Sequence, residues 1–470
     1  MAPHDISIGS PQLPWRENAP SLPDGAIAAA ADHSYIWKYG FLARGPSNVR
    51  EHLPPLYAVW ADLLAQAKSA PVRLRDPSPV AEGWRESIRK MPYISPSPLI
   101  QRADMDVLIR ARQVLVCLLH FYIHSLPVEP TPTTPARVPS CLARPLLALS
   151  RALGVPPVVT YADTTQYNYA VDDTNTNTED GKKRLRVLNN FSGTEDEAHF
   201  YLTSLHIEAA GAKALNAIRI LLDNQRQHKH QHQHQHQNYD ARAEQLTALA
   251  GHIRTMNATL ANVRNGCAPS VFYHSVRPWY VGCPTRGAWI FDLGGEEEEE
   301  GGETLRSRWV SADGVVEPMA GSTAAQSALF HALDVFLNIE EHTHETQKGG
   351  NFLMRMRAFF PLADRCFVDA LALETRGFRK RGIMSEAEVK AYNDVVTALR
   401  DWRTTHVRIA TLYVVNQARG IAEKDKSGER ETLLDEKGTG GTELVPFLKG
   451  VRDRTGEGAI NMPEERRRRT

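Results

Sequence analysis

Few stretches of the sequence bring chemically capable side chains together. His342 and His344, in LNIEEHTHETQKGGNFLMRMRAFFP, lie between two helical patterns, and no H-E-x-x-H or paired Cys supplies the further ligands of a closed zinc site. One imidazole still suffices for haem, whose iron takes an axial His on one side and a shaped pocket on the other. In HFYLTSLHIEAAGAKAL, Phe200, Ser204 and Glu208 recur every four residues and share one helical face. That face is either an ordinary helix, with Ser204 bonded to its own backbone, or the wall of a pocket. Arg277, in SVFYHSVRPWYVGC, follows Phe272 and Tyr273 and precedes Pro278. A guanidinium so placed is an interior strut or a clamp for the carboxylate of an aromatic molecule. GSTAAQSALFHALDVF reads as a small-residue turn opening a helix, which lets backbone approach a flat ligand. The run from Lys437 to Thr442, KGTGGT, lacks the order of a phosphate loop and reads as a mobile loop over a site.

These groups need a scaffold, and 470 residues with 42% hydrophobic and 23% charged side chains are enough to build one. Fifty-five basic and fifty-five acidic residues leave a formal charge of zero, so neither nucleic acid nor an anionic membrane is an expected partner. Cys117, Cys141, Cys267, Cys283 and Cys366 are scattered and odd in number, which suits a reducing compartment, and a cytoplasmic location is expected. The N-terminus has no basic-then-apolar leader pattern, and the apolar run Val114 to Ile123 is too short to cross a bilayer.

Helical spacing is found over Leu56 to Ala67, Asp104 to Leu126, Cys141 to Leu153, Glu195 to Asn224, Asp240 to Asn265, Thr323 to Ile339, Asn351 to Phe360, Asp364 to Glu374 and Glu386 to Gln417. Strand-type alternation is scarce, so an all-α chain is expected. Its organisation reads as an arm over 1–34, a small helical domain over 35–156, a connecting linker over 157–195 and a large helical domain over 196–470. Two low-complexity tracts, 225–238 (rich in His and Gln) and 294–303 (rich in Gly and Glu), read as solvated loops within it.

Taken in order, VPSCLARPLLALSRALGVPPVVTYADTTQYNYA, FYLTSLHIEAA, FYHSVRPWYVG, GSTAAQS with ALDVFLNI, MRAFFP and EKGTGGTELVPFLKGVR resemble the indoleamine 2,3-dioxygenase family over about Phe41 to Arg452. The resemblance implies a small α domain and a larger all-α domain that binds haem b. It implies an enzyme that cleaves the indole ring of L-tryptophan or a related indoleamine with O2 to N-formylkynurenine, in the kynurenine route to NAD. It also implies an electron donor that keeps the iron ferrous, and a monomer. By the same resemblance His344, or alternatively His342, is the axial iron ligand. Phe200, Ser204, Phe272, Tyr273, Arg277, Tyr161, Thr164, Thr323 and Thr439 line the substrate site, with Arg277 on the carboxylate and no side chain as acid or base. A haem protein that binds oxygen without catalysis is the alternative on the same fold. The chain departs from the family pattern at Asn338, where Gly is usual, at Phe359-Phe360-Pro361, and at Asp364-Arg365, where His-Arg is usual.

Overall fold

The computed structural model describes residues 34–42, 51–172, 184–228, 235–294, 307–339, 348–375, 385–424 and 444–460. It is mostly helical, as expected, in the manner of the indoleamine 2,3-dioxygenase all-α fold. After a single turn, α1 (Ile36–Tyr39), come α2 (Ala58–Ser69), α3 (Pro79–Lys90), α4 (Ser97–Arg102), α5 (Met105–His124) and α6 (Ser140–Leu153). Asp104 caps α5 by accepting from the Val107 N–H at 3.3 Å. From Val114 to Ile123 every residue of α5 is buried. It is long and apolar enough to span a bilayer, yet 83% of its most apolar stretch is covered by the protein, which makes it the axis of a core. α6 ends on Gly154 in the left-handed conformation, φ 66°, where a Cβ is unwelcome.

The longer helices follow: α7 (Glu195–His228), α8 (Gln235–Ala261), α9 (Ala328–Phe336), α10 (Lys348–Met356), α11 (Leu362–Thr375), α12 (Glu386–Ala410), α13 (Asn416–Lys424) and α14 (Leu444–Glu457). α12 packs against α8 and α14, and α7 against α8. Its start is fixed by a reciprocal cap in which the Glu388 N–H donates to Ser385 Oγ at 3.2 Å and the Ser385 N–H donates to Glu388 Oε2 at 2.8 Å. Two short sheets complete the chain. β1 (Ala136–Val138) pairs in parallel with β4 (Trp289–Phe291), and β2 (Tyr169–Asp172) pairs antiparallel with β3 (Arg184–Val187). The apolar core forms two main clusters: one gathers α2, α3, α5 and α6 with residues 263–319 and 409–418, and the other is built on α7, α8, α9, α11 and α12.

The elements differ from the sequence expectation in three places. α3 was not anticipated; Ser78 caps it through the Ala81 N–H, with Pro79 in the first turn. The His/Gln tract is not all loop: α7 runs through His228 and α8 begins at Gln235, because Gln is a good helix former and an existing helix extends at little cost. The helix expected from Thr323 is confined to Ala328–Phe336, since Thr323 caps a separate short turn over Ala324–Gln326.

A buried imidazole ties α5 to two distant segments. His120 Nε2 accepts from the Val159 N–H at 3.0 Å, and its Nδ1 bonds the Trp279 carbonyl at 2.8 Å. Burial, and then the Arg112 guanidinium, pushes its pKa down to about 4, and the neutral ring is the form that can accept from Val159. The folded chain therefore binds fewer protons here than the unfolded one, and this stabilisation is complete above about pH 6.5 and lost as pH falls toward 4. His120→Gln is expected to reduce the acid-side loss of stability by an amount on the order of 3 kcal/mol, read from urea unfolding at successive pH values. An unchanged acid limb would show that His120 titrates normally.

Candidate functional site

A cavity of about 250 Å³, walled mainly by apolar side chains, opens where the linker turn, α7, residues 272–280, the 321–327 turn, α12 and α14 meet. Most of the expected site residues converge on it. Phe200 and Phe272 lie on its wall with ring centroids 4.8 Å apart. Ser204, one turn along α7 from Phe200, also lines it, and its hydroxyl donates to the Phe200 carbonyl at 3.2 Å. Arg277 reaches the cavity from the turn that Pro278 continues, its guanidinium 5.4 Å from the centre of the Tyr273 ring.

Tyr161 and Thr164 project from a buried π-type turn over Ala162–Gln166. The Tyr161 N–H donates to Gln326 Oε1 at 2.9 Å, and the Thr164 and Ser322 hydroxyls are bonded at 3.1 Å. Thr323 lines the cavity beside Ser322, Ala324 and Ala325.

Two expectations need correction. Tyr273 is buried but is not on the cavity wall. It follows Phe272 directly in a helical turn, so the two rings point in different directions, and Tyr273 packs under Arg277 instead. Glu208 shares the face of Phe200 and Ser204, yet it too is off the wall: its carboxylate turns aside to the Tyr161 hydroxyl, 3.0 Å away. His342, His344 and Thr439 lie outside the described residues.

The imidazoles on the wall are His331 and His406. Both nitrogens of His331 are engaged, one with the Ala325 carbonyl at 3.0 Å and the other with Arg357 Nε at 3.3 Å. His406 makes no hydrogen bond to a described residue. Burial, and then the nearby Arg403 guanidinium, holds its pKa down to about 4, so at neutral pH it is an uncharged ring with nitrogen lone pairs to offer. It sits on a helical face with Trp402, Arg403, Ile409 and Ala410, all of them on the cavity wall.

In the sequence His406 stands alone, whereas His342 and His344 fall in one short stretch. The available signal was an imidazole on the apolar face of WRTTHVRIATLYVV.

Arg403 is salt-bridged to Asp334 and bonded to the Thr455 hydroxyl, but its Nε is buried without an acceptor. An unfilled donor in this wall suits an anionic group on a bound molecule. Among the described residues no three His, Cys, Asp or Glu side chains cluster to cage a metal ion, so a metal here must bring its other ligands with it. The arrangement thus offers a largely apolar cavity with a neutral imidazole and two guanidinium groups on its wall, which suits an apolar guest that carries a carboxylate.

Comparison with known proteins leads the same way. The family profile described as indoleamine 2,3-dioxygenase matches residues 30–458. The chain is 29% identical over 381 residues to an indoleamine 2,3-dioxygenase of Saccharomyces cerevisiae, covering 75% of this chain and 78% of the relative. It is 30% identical over 408 residues to one from Aspergillus candidus, covering 82% and 92%. It is also 27% identical over 421 residues to a protein of Haliotis madaka named myoglobin, covering 88% and 95%.

The cavity wall depends on a backbone-to-backbone contact. A Cβ at Gly321 would fall 1.5 Å from the Tyr280 carbonyl oxygen and 2.8 Å from the Gly282 nitrogen. Gly321→Ala is therefore expected to push the 321–327 turn off residues 280–282 and to destabilise the protein by at least about 1–3 kcal/mol in denaturant unfolding. Parental stability in this variant would mean that the two segments do not touch.

Proposed function

The chain belongs to the indoleamine 2,3-dioxygenase family, and on that premise we propose that it is a haem-dependent dioxygenase that opens the indole ring of L-tryptophan, or a closely related indoleamine, with O2 to the N-formylkynurenine type of product. The observation that carries this reading is that a neutral imidazole with no hydrogen bond to the described residues, a guanidinium and a pair of tilted aromatic rings open on one apolar cavity: His406, Arg277, and Phe200 with Phe272.

The residues present fit haem b. His406 is placed to hold the iron, in preference to the His344 or His342 expected from the sequence. Arg403 Nε is an available donor for a propionate. Bound haem supplies the ferrous iron at which dioxygen chemistry takes place.

The chain's own contribution is orientation. Arg277 takes the substrate carboxylate, while Phe200 and Phe272 pack against the indole and exclude water. The Ser204 and Thr164 hydroxyls are tied to main-chain carbonyls at 3.2 Å each, so they present lone pairs to the cavity and keep its edge in one shape. The carboxyl group on the wall, Asp334, is committed to Arg403, and His331 is bonded at both nitrogens. With His406 given to the iron, neither of these two described wall residues is left as a free acid or base.

A non-catalytic oxygen-binding role is the second reading, favoured by the relative named myoglobin. A carboxylate clamp has no use in a pure oxygen carrier, which supports the enzyme.

The purified protein is expected to show a Soret band that shifts when CO is added to the ferrous form, and to convert tryptophan in the presence of a reductant. His406→Ala should lose haem. Arg277→Ala should retain it while KM rises by roughly one to two orders of magnitude, as for a lost hydrogen bond to a charged group. A protein without a Soret band refutes both haem readings, and a haem protein without turnover leaves the second.

A further inference from the structure

On the far side of Tyr161 from the cavity lie two carboxyl groups with almost no solvent contact, Glu208 on α7 and Asp364 on α11, exposed by 1% and 0%. Glu208 Oε1 accepts from the Tyr161 hydroxyl at 3.0 Å and from the Ser327 hydroxyl at 2.7 Å, while Oε2 has no partner. Asp364 Oδ2 accepts from Gln166 Nε2 at 3.2 Å. The other oxygen of each of these two groups, Asp364 Oδ1 and Gln166 Oε1, is buried without a partner.

Two acceptors left over on groups already joined by one hydrogen bond mark the place of a missing proton. Among the described residues no guanidinium forms an ion pair with either carboxyl. Arg365 donates to the carbonyls of Arg357, Ala358, Phe360 and Gly154, and Arg112 is committed to Asp163. Two unpaired buried carboxylates at short range are not tolerated, so a proton must stay.

We propose that Asp364 is a neutral carboxylic acid whose O–H donates to Gln166 Oε1, closing a two-bond ring with the Gln166 amide. In this assignment Asp364 and Glu208 are positioning residues that lock the linker turn, and with it Tyr161 and Thr164, into the wall of the substrate cavity. Asp364 acts through Gln166, and Glu208 through Tyr161 and Ser327. Burial and then Glu208 push the Asp364 carboxyl well above the ordinary range, in keeping with this.

Glu208 is the member that titrates. Its carboxylate accepts from Tyr161 of the linker and Ser327 of the 321–327 turn, and it acts electrostatically on Asp364 of α11. Burial raises its pKa from 4.5 to about 7. The folded protein therefore keeps a proton there that the unfolded chain releases, and stability falls as pH rises between those two values.

Infrared difference spectra between the parent and Asp364→Asn, recorded at about pH 8.5 where Glu208 is ionised, are expected to contain the C=O band of a protonated carboxyl, shifted in D2O. Asn at 364 can rebuild the ring amide to amide. That variant should keep the parental KM and have a Tm equal to or above the parental one, increasingly so as pH rises, because Asn has no proton to release on unfolding, whereas Asp364→Leu should raise KM several-fold with kcat less affected. Glu208→Gln should make the decline of Tm across pH 4.5 to 7 shallower, leaving the part that the Asp364 proton contributes. Absence of the carboxyl band, or a stoichiometric metal ion in elemental analysis that is lost with Asp364→Asn, overturns the proposal. The KM measurement rests on the dioxygenase reading, but the infrared and thermal ones do not. A chain without turnover would thus count against that reading and leave the acid–amide pair to be judged on its spectrum and stability.

Discussion

The ion pair between Arg112 and Asp163, 2.7 Å long and sealed from solvent on both sides, is the constraint from which the site follows. The turn it holds has a sequence, TYADTTQYN, that in isolation belongs at a surface. Here Thr160, Asp163, Thr164, Thr165, Gln166 and Asn168 are all buried. Such a segment can be buried only if its polar groups are satisfied one by one. Asp163 Oδ2 accepts from the Thr160 N–H and hydroxyl, Arg112 also donates to the Pro156 and Val158 carbonyls, and Gln113 donates to the Asp163 carbonyl. A buried ion pair adds little net stability against an apolar alternative. What it supplies is a single allowed position, and that position puts Tyr161 and Thr164 on the cavity wall.

Burial lowers the proton affinity of the imidazoles of His120, His331 and His406 and raises that of the carboxyls of Glu208 and Asp364. Asp334 is paired with Arg403. The guanidinium groups on the cavity wall, among the described residues, are Arg277 and Arg403, whose Nε has no acceptor. Those are the positions at which a carboxylate-bearing guest would be recognised.

Much of this architecture could be read from the sequence, and where it could not the reason is physical. Periodicity located α5, α6, α7 and α12 because each buries a continuous stripe. It overlooked α3, which is marked by its cap more than by its length. Phe200, Ser204, Phe272, Arg277, Tyr161, Thr164 and Thr323, expected from the family resemblance, all line one cavity. Tyr273 was misplaced because a motif names neighbouring residues together, whereas a helical turn of about 100° per residue sends them to different sides. His406 was missed for a related reason: one imidazole in a helix of 25 residues carries no spacing signal. Its meaning comes from the other walls of the cavity, which the linear sequence does not show.

The departures from the family pattern fall where the backbone or a proton offers an equivalent solution. Asn338, where Gly is usual, has φ 57°, a left-handed conformation that Asn tolerates better than most residues, so the chain can still turn away after α9. Phe360 is fully buried and packs edge-on against His331 with centroids 4.9 Å apart, so the aromatic change fills the core behind that imidazole. Asp364 is the exchange with the larger electrostatic consequence, since it sets a second carboxyl beside Glu208 where the usual residue could carry positive charge. A sequence can absorb that change without a new cation if the carboxyl remains protonated, which burial and then Glu208 favour, and in the proposed ring the amide of Gln166, already one bond into the pair, satisfies the neutral acid.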